Sequence, residues 1–148
     1  MVSTGLRKNE SLSSYNLIID LSRRNRLEKY YVDQTLEHFR YHQIFLRPTK
    51  KAFISFVHED IIERVADSEK LTDSIINKLL QRRGIKLRFA DIREYWASVM
   101  TRHLSVAEID FLQGRVSSNV FMTNYFNPLL ITDLKTRTLK GIQDLLKP

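Results

Sequence analysis

Two arginines and a tyrosine pose the chemical question: Arg93, Arg115 and Tyr125, in the stretches Ala90–Asp91–Ile92–Arg93, Leu112–Gln113–Gly114–Arg115 and Asn124–Tyr125. A guanidinium neutralises a phosphate through paired hydrogen bonds, and a phenolate is a nucleophile able to attack the phosphorus. Side chains of these types converging on one spot point to covalent phosphodiester chemistry, in which a DNA strand is broken by bonding it to the protein. A phenol with an ordinary pKa of ~10 is mostly protonated at neutral pH, so Tyr125 needs cationic neighbours that favour its ionised form.

Composition sets the outer limits. With 148 residues and 43% hydrophobic content the chain can bury one core and is too short for two ordinary domains, so residues 1–148 read as a single domain. A net charge of +7 implies a polyanionic partner, but charge alone fits RNA, DNA, ribosome or membrane headgroups equally. Zero cysteines exclude disulfides, Cys-ligated zinc and thiol catalysis. The histidines His38, His42 and His58 have no ligand-like pairing, and no Asp/Glu cluster resembles a two-metal nuclease site, so neither metal nor cofactor is expected. No apolar run reaches the ~18 residues of a membrane span and the first residues lack a signal-peptide core, which places the protein in the cytoplasm, on nucleic acid.

The elements that must position these residues are mostly helical. Apolar residues Leu12, Tyr15, Ile18, Ile19 and Leu27 recur at helical spacing, predicting a helix over 8–31. Residues 33–41 read as a loop. Runs 43–47 and 52–57 flank Pro48–Thr49–Lys50–Lys51 and predict a β-hairpin with two lysines at its tip. Three-to-four spacing then predicts helices over 58–66, 72–83 (closed by Gly84), 90–103, 106–113 and 117–125. Pro128 interrupts, and 132–146 reads as a last amphipathic helix with Leu134, Leu139, Ile142, Leu145 and Leu146 on or near one face. Trp96 and Tyr95 are expected to pack in the core and hold Arg93, and His103 to be a polar helix end. The fold class is α+β, mainly helical with a small antiparallel sheet.

Taken together these segments resemble the catalytic domain of the tyrosine recombinases, the phage-integrase family, and most closely the integrases of archaeal viruses and plasmids. Thr4–Gly5–Leu6–Arg7–Lys8–Asn9–Glu10 is similar to the family's first box, a Thr-Gly-x-Arg turn entering a helix with an acid three residues later. Asp91–Ile92–Arg93 resembles its His-x-x-Arg box, Gln113–Gly114–Arg115 its Leu-Gly-His box, and Tyr125 its nucleophile. The family keeps a catalytic lysine between two strands, where Lys50 aligns better than Lys51. The resemblance therefore implies that Arg7, Arg93 and Arg115 clamp the phosphate oxygens, that Tyr125 attacks, and that Lys50 protonates the leaving 5′ oxygen.

Two positions depart from the family pattern. Ala90 stands where a histidine or lysine is usual, and a methyl group exchanges no proton, so activation of Tyr125 falls to Lys86, to a water or to a lowered pKa alone. Arg115 stands where histidine is usual, as in archaeal members; it keeps the donor role but not proton transfer. Lys51, Arg82, Arg83, Lys86 and Arg88 are read as contacts to flanking phosphates rather than as a merely solvated face.

The resemblance further implies double-stranded DNA attachment sites as partner, a homo-oligomer (a tetramer) on paired sites, and a product linked as a 3′-phosphotyrosine that reseals without ATP or metal. Relatives carry an amino-terminal DNA-clamping domain before the first arginine, so the chain reads as an amino-terminally truncated catalytic domain in which Arg7 frays. Residues 129–148 read as a tail helix, docked in cis in free solution and on a neighbour when bound to DNA. Two alternatives stay open: a non-catalytic DNA-binding remnant, and a relaxing enzyme like a type IB topoisomerase.

Overall fold

The computed structural model describes residues 1–48, 50–115 and 128–147. Helix α1 (Lys8–Arg23) begins where Glu10 accepts the backbone N–H of Arg7 at 3.1 Å, satisfying a donor that has no intrahelical partner. It stops eight residues earlier than its apolar spacing predicts. Asn25 takes a left-handed φ of 52°, and the N–H groups of Asn25 and Arg26 return to Ser22 and Leu21 in a Schellman closure. A 3₁₀ turn (Leu27–Lys29) follows.

Residues 33–41 are not a loop. Strands β1 (Tyr31–Val32) and β2 (Thr35–Leu36) form a hairpin closed by Asp33 and Gln34, both at positive φ as a two-residue type I′ turn requires. A 3₁₀ turn (His38–Tyr41) and a single helical turn α2 (His42–Phe45) then lead to β3 (Leu46–Arg47). The lysine-bearing hairpin exists but is shorter than expected. β3 pairs antiparallel with β4 (Lys50–Lys51), which puts both lysines on the returning strand instead of the tip. The apolar run after it serves a different sheet: β5 (Ser55–Phe56) pairs with β2, giving the antiparallel order β1-β2-β5.

Helices α3 (Glu59–Ala66), α4 (Asp73–Arg82), α5 (Phe89–Met100) and α6 (Val106–Leu112) follow the predicted segments closely. Thr72 and Ser105 cap α4 and α6 by accepting N–H groups three residues on, and Glu108 returns to the Ser105 N–H in a full capping box. The last helix, α7, runs Pro128–Leu146, so Pro128 begins it rather than interrupting the chain, as proline at a first helical position can. The predicted helix over 117–125, with Tyr125, lies outside the described residues. No helix among the described residues is long and apolar enough to cross a membrane.

Two apolar clusters meet along the buried run 52–57. One gathers Ile18 and Leu21 of α1, Tyr30, Leu36, Phe45, Val57 and Ile62 of α3. The other gathers Phe53, Ile54 and Phe56 with Trp96 and Met100 of α5, Ile109, Phe111 and Leu112 of α6, and Leu134, Leu139 and Ile142 of α7. Because that run contributes side chains to both, it ties the α1 half to the α5–α7 half. Helix α7 thus packs against α5 of its own chain. Polar contacts add to the seat: Arg137 donates to Glu108 and to the His103 carbonyl, Lys135 pairs with Asp33, and His58 Nε2 lies 3.1 Å from the Leu139 carbonyl oxygen.

Candidate active site

Helix α5 buries a stripe of Arg93, Trp96 and Met100, at spacings of three and four, and turns Tyr95 away. Tyr95 is 59% exposed, so the expectation that it packs beside Trp96 is corrected: two residues past Arg93 it lies on the opposite face. Arg93 is 7% exposed. Its Nη2 donates to the Gln113 carbonyl at 2.8 Å, and Gln113 Nε2 donates back to the Arg93 carbonyl at 3.1 Å. This reciprocal pair locks α5 to the end of α6. Arg93 Nη1 has no hydrogen-bond partner among the described residues, and a buried donor of that kind is costly until an acceptor reaches it.

The turn after α6 sets the second arginine. Gly114 (φ +65°) closes α6 as the N–H groups of Gly114 and Arg115 return to Phe111 and Asp110. A Cβ on Gly114 would lie 2.9 Å from the Lys51 carbonyl and the Ala52 nitrogen, so both the backbone angle and the close approach of β4 demand glycine. The Lys51 N–H points to the Gly114 carbonyl at 3.4 Å. The lysine strand is therefore pressed against the turn that carries Arg115. Arg115 itself is half exposed, with Asp110 at 3.4 Å.

The third arginine arrives on the turn before α1. Gly5 (φ +65°) sits flat on the Trp96 ring, where a Cβ would come within 2.5 Å of a ring carbon. Trp96 is one turn along from Arg93, so this contact holds the Gly5–Leu6–Arg7 turn against the Arg93 helix. Arg7 is also held by Glu10, whose buried carboxylate takes its Nη1 at 3.1 Å and has Arg47 of β3 at 3.9 Å. A ring contact at Gly5 and a buried carboxylate therefore both hold the turn that carries Arg7.

Arg7, Arg93 and Arg115 line one cleft of about 340 Å³ with Met1, Lys8, Phe89 and Ala90. Burial, then repulsion from Arg7 and from Arg115, pushes the Arg93 guanidinium down to about 10, against the opposing pull of Glu10 and Asp110. It stays charged at neutral pH, and an anion in the cleft would relieve the repulsion. The basic run does not line the cleft: Arg82, Arg83, Lys86 and Arg88 are all exposed, at the end of α4 and in the segment that precedes Phe89. Arg88 lies 3.6 Å from Asp91.

Of the residues predicted from sequence, the structure brings Arg7, Arg93 and Arg115 together and sets the backbone of Lys51 against the Arg115 turn. The Lys50 side chain and all of Tyr125 lie outside the described residues. Sequence reasoning missed Gln113 as the anchor of Arg93 and Lys8 as a wall of the cleft. An amide wedged between Leu112 and a helix-ending glycine was a usable signal for the first, and a second cation beside Arg7 for the other. His103 pairs with Asp144 of α7 and does not line the cleft. No cluster of three or more metal-ligating side chains occurs among the described residues.

A mainly helical α+β domain, with guanidiniums from three separate elements on one cleft, has the build of an integrase domain. The family described as archaeal phage integrase matches this chain over residues 12–139, and the chain belongs to that family. Its role is accordingly that of an integrase or recombinase acting on DNA. The matched segment includes Lys50, Arg93, Arg115 and Tyr125 and leaves out Arg7 and Lys8. No curated protein and no solved structure matches the chain.

Proposed function

We propose that this chain is the catalytic domain of a tyrosine-type DNA recombinase. Arg7, Arg93 and Arg115 bind the non-bridging oxygens of one phosphodiester. Charge builds on those oxygens as the phosphorus becomes five-coordinate, and donors already fixed in place stabilise that state more than the ground state. The Tyr125 oxygen bonds to phosphorus, its proton passing to solvent or a nearby base, and the bond to the 5′ oxygen breaks. Lys50 gives the leaving oxygen a proton. The 3′-phosphotyrosyl bond keeps the energy of the one broken, so a 5′-hydroxyl from another strand reverses the step and reseals without ATP. Lys51, Arg82, Arg83, Lys86 and Arg88 hold flanking phosphates of the duplex, and two attachment sites are paired by a homo-tetramer.

The observation that carries this reading is the buried Arg93, paired with the Gln113 carbonyl instead of a carboxylate and crowded by two further guanidiniums. A merely structural buried arginine is normally neutralised by an acid in direct contact. Here the geometry favours an anion with several oxygens, which a phosphodiester supplies.

The test uses a nicked duplex, selected by the chain from a random pool, that loses its short 5′-hydroxyl fragment on cleavage. The wild-type chain should accumulate a covalent protein–DNA adduct, and Tyr125→Phe should not. Retained binding with no adduct would instead favour a DNA-binding protein without chemistry. Relaxation of any supercoiled plasmid regardless of site would favour a topoisomerase-like enzyme.

A further inference from the structure

We infer that Lys8 is a fourth phosphate-binding group of the cleft, brought by helix α1 to the wall that it shares with Ala90 of helix α5. The inference rests on the proposed reading of the cleft as a phosphodiester site and adds a residue to it.

Three observations carry it. First, Lys8 and Ala90 line the same cleft, together with Arg7, Arg93 and Arg115. Lys86, the lysine nearest in sequence to Ala90 on its amino-terminal side, does not line it. Second, the ammonium of Lys8 is held at that wall: it lies 4.7 Å from the centre of the Phe89 ring, and Phe89 is the residue beside Ala90. A cation over a ring face gains an attraction that orients it without saturating its three donors. Third, its acidic partner among the described residues is a weak hold. Asp73 of α4 lies 3.0 Å from the ammonium, with its own carboxylate more than half exposed. The Lys8 side chain is 24% exposed and the aspartate faces solvent, so solvent screens the pair from the Asp73 side and a phosphate with concentrated charge can draw the ammonium away.

The chemistry follows from geometry. Arginine forks bind two oxygens each in a fixed plane, whereas an ammonium on a four-carbon stem is a compact charge that follows one oxygen as it moves. The methyl of Ala90 leaves the wall open there. Lys8 is assigned to a non-bridging oxygen of the scissile phosphate; no proton transfer is assigned to it.

The test combines three variants of the full chain with two readouts: the rate of adduct formation on the nicked duplex, and the affinity for inorganic phosphate followed by NMR of the α1 amides. Lys8→Ala should slow adduct formation by about 10²-fold, as loss of one oxyanion donor does, and weaken phosphate binding. Asp73→Asn, which frees the ammonium, should raise phosphate affinity by about two- to five-fold, and should do nothing when Lys8 is already alanine. A merely structural role for the pair would give losses in both single variants, so the opposite signs are diagnostic. Adduct formation intact in Lys8→Ala would overturn the inference while leaving the proposed function standing. If the wild-type chain forms no adduct, phosphate binding decides. Weakening in Lys8→Ala supports the site, and unchanged binding in both single variants overturns it. Should Lys8→Ala not fold, the gain in Asp73→Asn remains the deciding measurement.

Discussion

Two glycines with nearly identical backbones provide a controlled measurement of how the lysine strand is joined to the arginine turn. Gly84 ends α4 at φ +64° and Gly114 ends α6 at φ +65°, each in the same Schellman closure. A Cβ on Gly84 would meet nothing within 4 Å, whereas one on Gly114 would press on the Lys51 carbonyl and the Ala52 nitrogen at 2.9 Å. Alanine at Gly84 therefore costs only the left-handed conformation, about 1–2 kcal/mol. Alanine at Gly114 costs the same plus the work of pushing two backbone segments apart. Overpacking of that kind adds about 1–3 kcal/mol, for a total of about 2–5 kcal/mol. At roughly 3 °C per kcal/mol for a domain of this size, Gly84→Ala should lower Tm by about 3–6 °C and Gly114→Ala by about 6–15 °C. Urea unfolding followed by circular dichroism should give unchanged slopes and shifted midpoints. Adduct formation should drop in Gly114→Ala and persist in Gly84→Ala, since only the first displaces the Arg93–Gln113 pair. Equal losses of stability in the two variants would refute the close approach of β4 to the Arg115 turn.

Three other outcomes follow from charge and burial. His38 lies in a buried chain of hydrogen bonds with Tyr30 Oη at 2.7 Å and Ser55 Oγ at 2.9 Å, and burial holds its imidazole down to about 3 from the usual 6.5. Between those values the unfolded chain binds the extra proton, so this contribution is full above pH 6.5 and falls by up to about 1.4 kcal/mol per pH unit as pH drops towards 3. Urea midpoints across that range should show the slope in wild type and lose it in His38→Gln. Glu108 is held down to about 2, chiefly by its hydrogen bonds from Arg137, so the α6–α7 clamp is fully present above the usual carboxylate value of 4.5 and lost as pH falls towards 2. Arg137→Ala should cost about 1–2 kcal/mol at pH 7, allowing for partial solvent screening, and progressively less below pH 4, read from paired melts. Arg93→Lys keeps the charge and removes the fork, so adduct formation should fall about 10²-fold or more while the salt dependence of DNA binding stays nearly unchanged.

Much of the helical frame could be read from side-chain period and caps, because α3 to α6 start at Thr or Ser caps or after extended residues and end at visible stops such as Gly84 and Gly114. The errors fall where backbone chemistry departs from the usual residue. Asn25 ends α1 as a glycine would, and Asp33–Gln34 make a type I′ turn without glycine, so neither the stop nor the first hairpin carries its common signature. The run 52–57 looks like one hairpin arm, yet β4 and β5 divide their partners between two sheets, a choice made by tertiary packing. In the cleft, Arg7, Arg93 and Arg115 were legible through the resemblance of their segments to the family's boxes. Gln113 and Lys8 carried only local signals, an amide before a helix-ending glycine and a second cation beside Arg7, and their roles depend on which surfaces α1, α5 and α6 present to each other. Tyr95 shows the same limit: two residues past Arg93, it falls on the opposite face of the helix although it adjoins Trp96 in sequence.

The proposed chemistry depends most directly on where DNA becomes attached. Adduct formed on the nicked duplex should be digested and its DNA-bearing peptide identified by mass spectrometry. The account predicts a single phosphotyrosyl peptide containing Tyr125, absent in Tyr125→Phe and strongly reduced in Arg93→Lys. Attachment at another residue, or an adduct indifferent to Arg93, would contradict it.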